Sequence, residues 1–273
     1  KPHEKPALFN TEYGVVETTY TEADESYAAK RRSQKSGVRT RQLPGVSPLV
    51  FSRFLLEKTA FLSLSDMGKA LPSYEEIPIA CRMDEAVQSE YKRIENALVQ
   101  VLRSDRRAAQ KILSAYLNLL TVYPDQPYDQ KPILYPDSDV PIVEPENIGD
   151  ADTLGEKEQR TLEIVRAAIQ NGERALIYTS WVRTDSQQKL KKLLADEGYR
   201  TEILTDKIKT TDREDWVQKK LAAGMQVLIV NPSLVETGLD LNAFTTLVFY
   251  SMGYKLFTLR QASRRSWRIN QKA

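Results

Sequence analysis

The spacing of apolar residues along the chain changes character near residue 150. Beyond it, short apolar runs alternate with longer stretches whose apolar positions recur every three or four residues. The runs "RALIYTS" (174–180), "TEILT" (201–205), "QVLIVN" (226–231) and "TTLVFY" (245–250) predict strands. Helices are predicted near 156–170, between the first two runs, before the third, and near 256–268. Two helix starts carry a capping-box pattern, Thr184 with Gln187 and Thr211 with Glu214, and Gly198 is placed to stop the first of them. Strands alternating with helices in this way imply an α/β domain with a parallel sheet covered on both faces. "ALIY" and "VLIV" are unbroken apolar runs, as strands buried on both sides require.

Upstream the pattern is mainly helical. Val87, Tyr91, Ile94, Leu98 and Val101 fall near helical spacing behind Asp84 as a cap, and a second helix is predicted over about 105–122, ending at Tyr123-Pro124. Before them, "EIPIACRM" alternates like a strand. Residues 47–72 hold enough Leu, Phe and Val to predict packed helix. Gly68-Lys69 in that stretch looks like the tail of a phosphate-binding loop. Ser63 stands at the leading glycine, however, and Ala70 at the required Ser or Thr, so the pattern fails twice. Six prolines between Pro124 and Pro145 exclude helix interiors and central strands. Residues 1–45 are polar without a persistent period, and fit either an exposed loop or partly helical insertion, or a basic arm against nucleic acid. The expected organisation is an arm or insertion over 1–45, a mainly helical segment over 46–123, a Pro-rich connector over 124–150 and the α/β lobe over 151–273.

Charge alters this picture by its placement. The balance of 39 basic to 37 acidic residues says nothing about a polyanionic partner, but from Leu241 to Ala273 there is no acidic residue at all. A second basic stretch runs from Lys30 to Arg41. Cys81 is the only cysteine and His3 the only histidine, which excludes a disulfide framework and a zinc site built on Cys and His. The lone cysteine implies a reducing, intracellular compartment, cytoplasmic or nuclear. No apolar run approaches the roughly 18 to 20 residues that span a bilayer, so no membrane partner is expected. The chain opens at Lys1 rather than Met, and we expect a segment of something longer.

Two constellations can carry chemistry. On a helix over 256–268, Gln261, Arg265 and Arg268 stand at i, i+4 and i+7, on one face. A solvated basic face explains such a stripe, but a solvated helix usually interleaves both signs, and this one has no acid. Paired guanidinium forks suit phosphate oxygens. The second constellation, "NPSLVETGLDL", follows a predicted strand directly, where open parallel sheets bind ligands. Gly238 permits a sharp turn or close approach, and Asp240 can accept from a ribose hydroxyl or an arginine; a purely structural turn fits equally.

Taken together, "ALIYTSW", "REDWVQKKL", "VLIVNPSLVETGLDL" and "QASRRSWRINQ" reproduce in order the motifs that helicases number four, five and six. The frame filled by Gln261, Ala262, Arg265, Arg268, Ile269 and Gln271 resembles the Swi/Snf-like ATPases of superfamily two, and "AYLNLLTVYP" matches a leucine-rich helix of that group. Asn270 departs from the group's usual Gly, Glu236-Thr237-Gly238 from its paired glycines, and Tyr254-Lys255-Leu256 from Trp-Asn-Pro. The resemblance implies the second of two RecA-like lobes, a parallel sheet flanked by helices and preceded by a mostly helical segment. It also implies that ATP with Mg²⁺ binds between the lobes of the complete protein, with none bound to this segment alone. Arg265 and Arg268 would then be arginine fingers on the transferring phosphoryl group. Gly238, Asp240 and Gln261 would line the nucleotide cleft. Thr179, Ser180 and Thr237 would touch the backbone of nucleic acid, expected to be double-stranded DNA. The implied partners are that DNA and the first RecA-like lobe of the same protein, and the implied activity is DNA-dependent ATP hydrolysis coupled to translocation.

Neither Gly-x-x-x-x-Gly-Lys-Ser/Thr nor Asp-Glu-x-His/Gln occurs in the chain, so the segment alone is expected to hydrolyse no ATP. A rival of a different class is a non-catalytic module whose basic C-terminal surface docks nucleic acid or protein. A dinucleotide-binding oxidoreductase fits the strand–helix alternation but lacks Gly-x-Gly-x-x-Gly.

Overall fold

Backbone pairing rather than side-chain burial organises the N-terminal segment. The computed structural model describes residues 5–21, 37–62, 66, 72–181, 185–235, 239–253 and 256–267, and the chain divides into two units, Lys1–Met67 and Gly68–Ala273. In the first, helix α1 (Pro6–Tyr13) runs into β1 (Gly14–Thr21), which pairs antiparallel with β2 (Gly37–Val46), Glu17 opposite Arg41 and Thr19 opposite Arg39. Loop or partial helix was the expectation here, and a β-ribbon is the correction. The adjacent Val15 and Val16, which point to opposite faces, are both exposed, so this pair gives no buried alternation to read. Tyr13 is the buried anchor, against Phe9, Phe54 and the Arg53 guanidinium, which donates to its hydroxyl at 3.1 Å. The packed helix expected over 47–72 is also corrected. Its described part is a short α2 (Pro48–Val50), a wide π-type turn (Phe51–Leu55) and a 3₁₀ turn (Leu56–Lys58), none with a buried side chain. The false phosphate-loop tail at Gly68-Lys69 lies outside the described residues.

In the second unit, "EIPIACRM" forms no strand: it is extended and mostly exposed, and takes no part in the sheets of the described residues. Helices α3 (Glu85–Ser104) and α4 (Arg106–Val122) follow as predicted, meeting at Asp105. Val87, Ile94, Leu98 and Val101 pack against Ala109, Ile112, Tyr116 and Leu119. The proline-rich connector keeps a small antiparallel pair, β3 (Ile133–Leu134) with β4 (Pro141–Val143). It is fastened to α3 by the buried Glu90, which takes two 2.6 Å bonds from Arg93 and the Glu146 N–H at 2.9 Å.

Helix α5 (Glu156–Gln170) opens the α/β part and leads to β5 (Ala175–Tyr178), α6 (Ser186–Asp196) and β6 (Thr201–Leu204). Then come α7 (Arg213–Ala222), β7 (Val227–Val230), β8 (Thr246–Phe249) and α8 (Leu256–Ser263). The strands form one parallel sheet in the order β6-β7-β5-β8. Alternate residues of β5 and β7 face opposite layers. Ala175, Ile177, Val227 and Ile229 meet Val165 of α5 and Leu190 and Leu194 of α6. Leu176, Tyr178, Leu228 and Val230 meet Val217 of α7 and Ala262 of α8. This is the expected α/β architecture: a sheet flanked by helices and preceded by a helical segment.

The capping box expected at Thr184 lies outside the described residues; the Gln187 amide donates to Thr179 at 2.7 Å. The one expected at Thr211 does not form. Thr211 sits in a 3₁₀ turn and donates to Asp212, while Glu214 accepts the Asp240 N–H at 2.9 Å. Helix α8 ends at Ser263, five residues short of the prediction. Among the described residues no helix is long and apolar enough to cross a membrane.

Candidate functional site

Three loops leave the carboxyl edge of the sheet and are laced together. After β5, the Ser180 N–H donates to the Ser251 hydroxyl and the Ser180 hydroxyl to the Ser251 carbonyl, both at 2.9 Å, which ties this loop to the one after β8. The Asn231 amide, after β7, donates to the Ser180 carbonyl at 3.0 Å, while its own oxygen accepts from the Ser233 N–H and hydroxyl. Thr179 is fully buried: its N–H continues the ladder to Val230, and its hydroxyl accepts from Gln187. The edge is therefore preorganised by its own polar groups, which lowers the entropy lost when a ligand is held there.

The loop beyond β7 is fixed from below. The half-buried Asp240 accepts the Asn242 N–H at 3.2 Å while its own N–H is held by Glu214, and Arg213 of α7 donates to the Leu234 carbonyl at 2.8 Å. Val235 and Leu239 are buried on either side of the tip. Thr237 and Gly238, singled out in the sequence, lie between them and outside the described residues.

Helix α8 is pinned at its last turn. The Ala262 carbonyl accepts from the Tyr178 hydroxyl (3.0 Å) and from the Arg265 N–H (3.2 Å), so a phenol from the central strand sets where the helix ends. Burial pushes the Tyr178 phenol well above its usual range, and the Arg265 charge opposes that only in part. Arg265 is half-buried, with Nε enclosed, in the turn after α8 rather than on it. Gln261 is half-buried on α8, and Arg260 and Phe257 are exposed. The predicted three-residue face is thus broken after Gln261. Arg268 lies outside the described residues.

Sequence reasoning missed a cluster beside this turn. The Trp267 indole N–H donates to the Pro72 carbonyl at 2.9 Å, and its ring lies 4.9 Å from that of Tyr74, tilted by 34°. The Arg264 guanidinium carbon is 4.4 Å from the Trp267 ring centre and 5.3 Å from that of Tyr74. Tyr74 donates to Glu76 at 2.5 Å and reaches Ser263, the last residue of α8. An aromatic pair of this kind contributes roughly 0.5–1.5 kcal/mol and an exposed cation–π contact about 0.5–1 kcal/mol. The only hint in the sequence was a tryptophan among arginines.

A second missed feature lies under β8. Lys189 and Glu158 pair at 2.9 Å with both side chains almost wholly enclosed, and the Tyr250 hydroxyl donates to Glu158 at 2.8 Å. Lys157 pairs with the buried Asp125 and stands 4.3 Å from the centre of the Tyr250 ring. These groups border a cleft of about 490 Å³ that also takes in Trp181, Ser251 and Cys81. Each buried charge has its partner, so the network fastens the connector to the sheet. Among the described residues no group of three His, Cys, Asp or Glu could hold a metal ion.

Residues 156–270 match the helicase conserved C-terminal domain. Among solved structures, the Sulfolobus solfataricus SWI2/SNF2 ATPase core in complex with double-stranded DNA is similar, with a TM-score of 0.52 and 20% identity over 70% of this chain. The chain spans only 37% of that core's length. The C-terminal part of the Fun30 ATPase domain is similar over 74% of this chain and 83% of its own, with a TM-score of 0.52 and 13% identity. At these identities the likeness establishes the shared fold. No curated protein matches the chain by sequence.

Proposed function

We propose that the chain, whose residues 156–270 match the helicase conserved C-terminal domain, supplies the second, ATP-closing lobe of a DNA-dependent translocase. The observation that carries this reading is the Tyr178–Ala262–Arg265 junction, which fixes an arginine-bearing turn to the central strand at the ligand-binding edge. In the complete protein the first RecA-like lobe would present ATP and its Mg²⁺ across the cleft. Arg265 and Arg268 would meet the γ-phosphoryl group there and stabilise the charge that spreads over its oxygens in the transition state. A rigid mount matters, because a group misplaced by about 1 Å can cost roughly a hundredfold in rate. Gln261 would report nucleotide state to α8, and Gly238 with Asp240 would line the cleft. On the nucleic-acid side, Ser180 and Thr237 would meet the phosphate backbone. Thr179, enclosed and bonded to Gln187, would shape the loop that presents Ser180. Contacts of this sort position duplex DNA without reading its sequence.

In the complete protein, Arg265→Ala and Arg268→Ala are each expected to lower DNA-stimulated ATP turnover by about 10³-fold, by analogy with other arginine fingers, while DNA affinity changes little. The enclosed Nε of Arg265 favours a second reading, a binding module without catalysis. It requires the opposite pattern: weakened DNA or protein binding with turnover intact. ATPase assays and binding isotherms on the same variants separate the two.

A further inference from the structure

We propose that Trp267 is a positioning residue. With Arg264 and Tyr74, it straps the finger-bearing turn to the extended chain that enters the second unit ahead of α3, so that a displacement of this entering chain is delivered to Arg265. The proposal rests on the reading of Arg265 as a finger.

Pro72 and Tyr74 stand at the start of the described part of the second unit. Trp267 and Arg264 flank Arg265 by two residues and one. The contacts that Trp267 and Arg264 make with Pro72 and Tyr74 span most of the second unit in sequence. The indole N–H reaches the Pro72 carbonyl 195 positions away, the two rings overlap at 4.9 Å, and the Arg264 guanidinium stands close to both. The hydroxyl of Tyr74 reaches Ser263, the residue from which the finger turn departs. The turn is therefore held at two places: by Tyr178 through the Ala262 carbonyl on the sheet side, and by this cluster on the side of the incoming chain. With the first mount alone, the turn could pivot about Ala262. The second removes that freedom and makes the entering chain its reference. Trp267 itself is half-buried and Arg264 exposed, so the cluster is a surface strap that can be altered without opening the core.

The test uses the complete protein and DNA-stimulated ATP hydrolysis, with kcat and KM for ATP measured separately. Trp267→Ala and Tyr74→Ala are each expected to lower kcat by roughly tenfold to a hundredfold, the cost of misplacing a reacting group by about an ångström, with KM little changed. Trp267→Phe, which keeps a ring but loses the bond to Pro72, should fall between wild type and Trp267→Ala. Tyr74→Phe, which keeps the ring, should recover most of the rate. The double variant Trp267→Ala/Tyr74→Ala should be no worse than the poorer single one, because both remove the same strap. Should Trp267→Ala fail to fold, Tyr74→Ala at its exposed position carries the same comparison. Normal kcat in Tyr74→Ala, or a merely additive double variant, overturns the strap. If that result comes with a crippled Arg265→Ala, the finger reading survives without it. Normal turnover in Arg265→Ala removes the reading itself.

Discussion

Glu158 and Lys189 meet 2.9 Å apart with 5% and 6% of their side chains exposed. Burial alone would raise the Glu158 carboxyl, but the hydrogen bond and charge of Lys189, with the Tyr250 hydroxyl, hold it below its ordinary 4.5. A carboxyl lowered by folding contributes stability that is complete above its unfolded value and disappears as pH falls through the folded one. For Asp125 burial outweighs Lys157 and the carboxyl is raised, so acidification relieves its cost instead. Urea unfolding at a series of pH values should therefore show little loss on going from neutral to about pH 5, then a decline below it. In Glu158→Gln that acid decline should be shallower. A gap between variant and wild type that stays constant with pH would speak against the assignment. At neutral pH, truncating either partner leaves a buried charge alone and should cost about 3–5 kcal/mol.

At the scale of elements, legibility followed burial. The helix over 156–170 was placed to the residue, and β5 and β7 to within a residue or two because a strand covered on both faces must be apolar throughout. The half-buried edge strand β8 was placed as closely on its Leu-Val-Phe run. The β1–β2 ribbon escaped because it is formed by backbone pairing, and its adjacent Val15 and Val16 are both exposed, so they carry no strand period. "EIPIACRM" carried the period of a strand without a partner strand to pair with. The capping box at Thr211 failed for a tertiary reason: Glu214 found its donor in the Asp240 N–H rather than in its own first turn. Where a cap does form it is local. Asp105 accepts the N–H groups of Arg107 and Ala108 at 3.0 and 2.9 Å. Asp105→Ala should destabilise the α3–α4 pair by about 1 kcal/mol, measured by urea unfolding. No change would mean that the packing of Val101 against α4 alone sets the junction.

For the molecule as a whole, the candidate site was legible in kind and partly in detail. The motif order located the edge of the sheet and Arg265, but a helix stripe was the wrong geometry for it, since the chain leaves α8 at Ser263. Trp267 was passed over because its partners lie 195 and about as many residues away, beyond the reach of any local pattern. On the reading proposed above, the chain by itself should show no ATP hydrolysis above background with or without DNA. A rate that depends on Arg268 would refute it.

The order β6-β7-β5-β8 also bears on how the lobe is made. Its first strand to be synthesised, β5, is flanked in the finished sheet by β7 and β8, both of which come much later. As the chain leaves the ribosome, "ALIY" must wait for "VLIV", some seconds at roughly 5–20 residues per second. During that interval a sticky apolar ribbon stands without neighbours, and the lobe depends on α5 and α6 to shelter it until translation catches up.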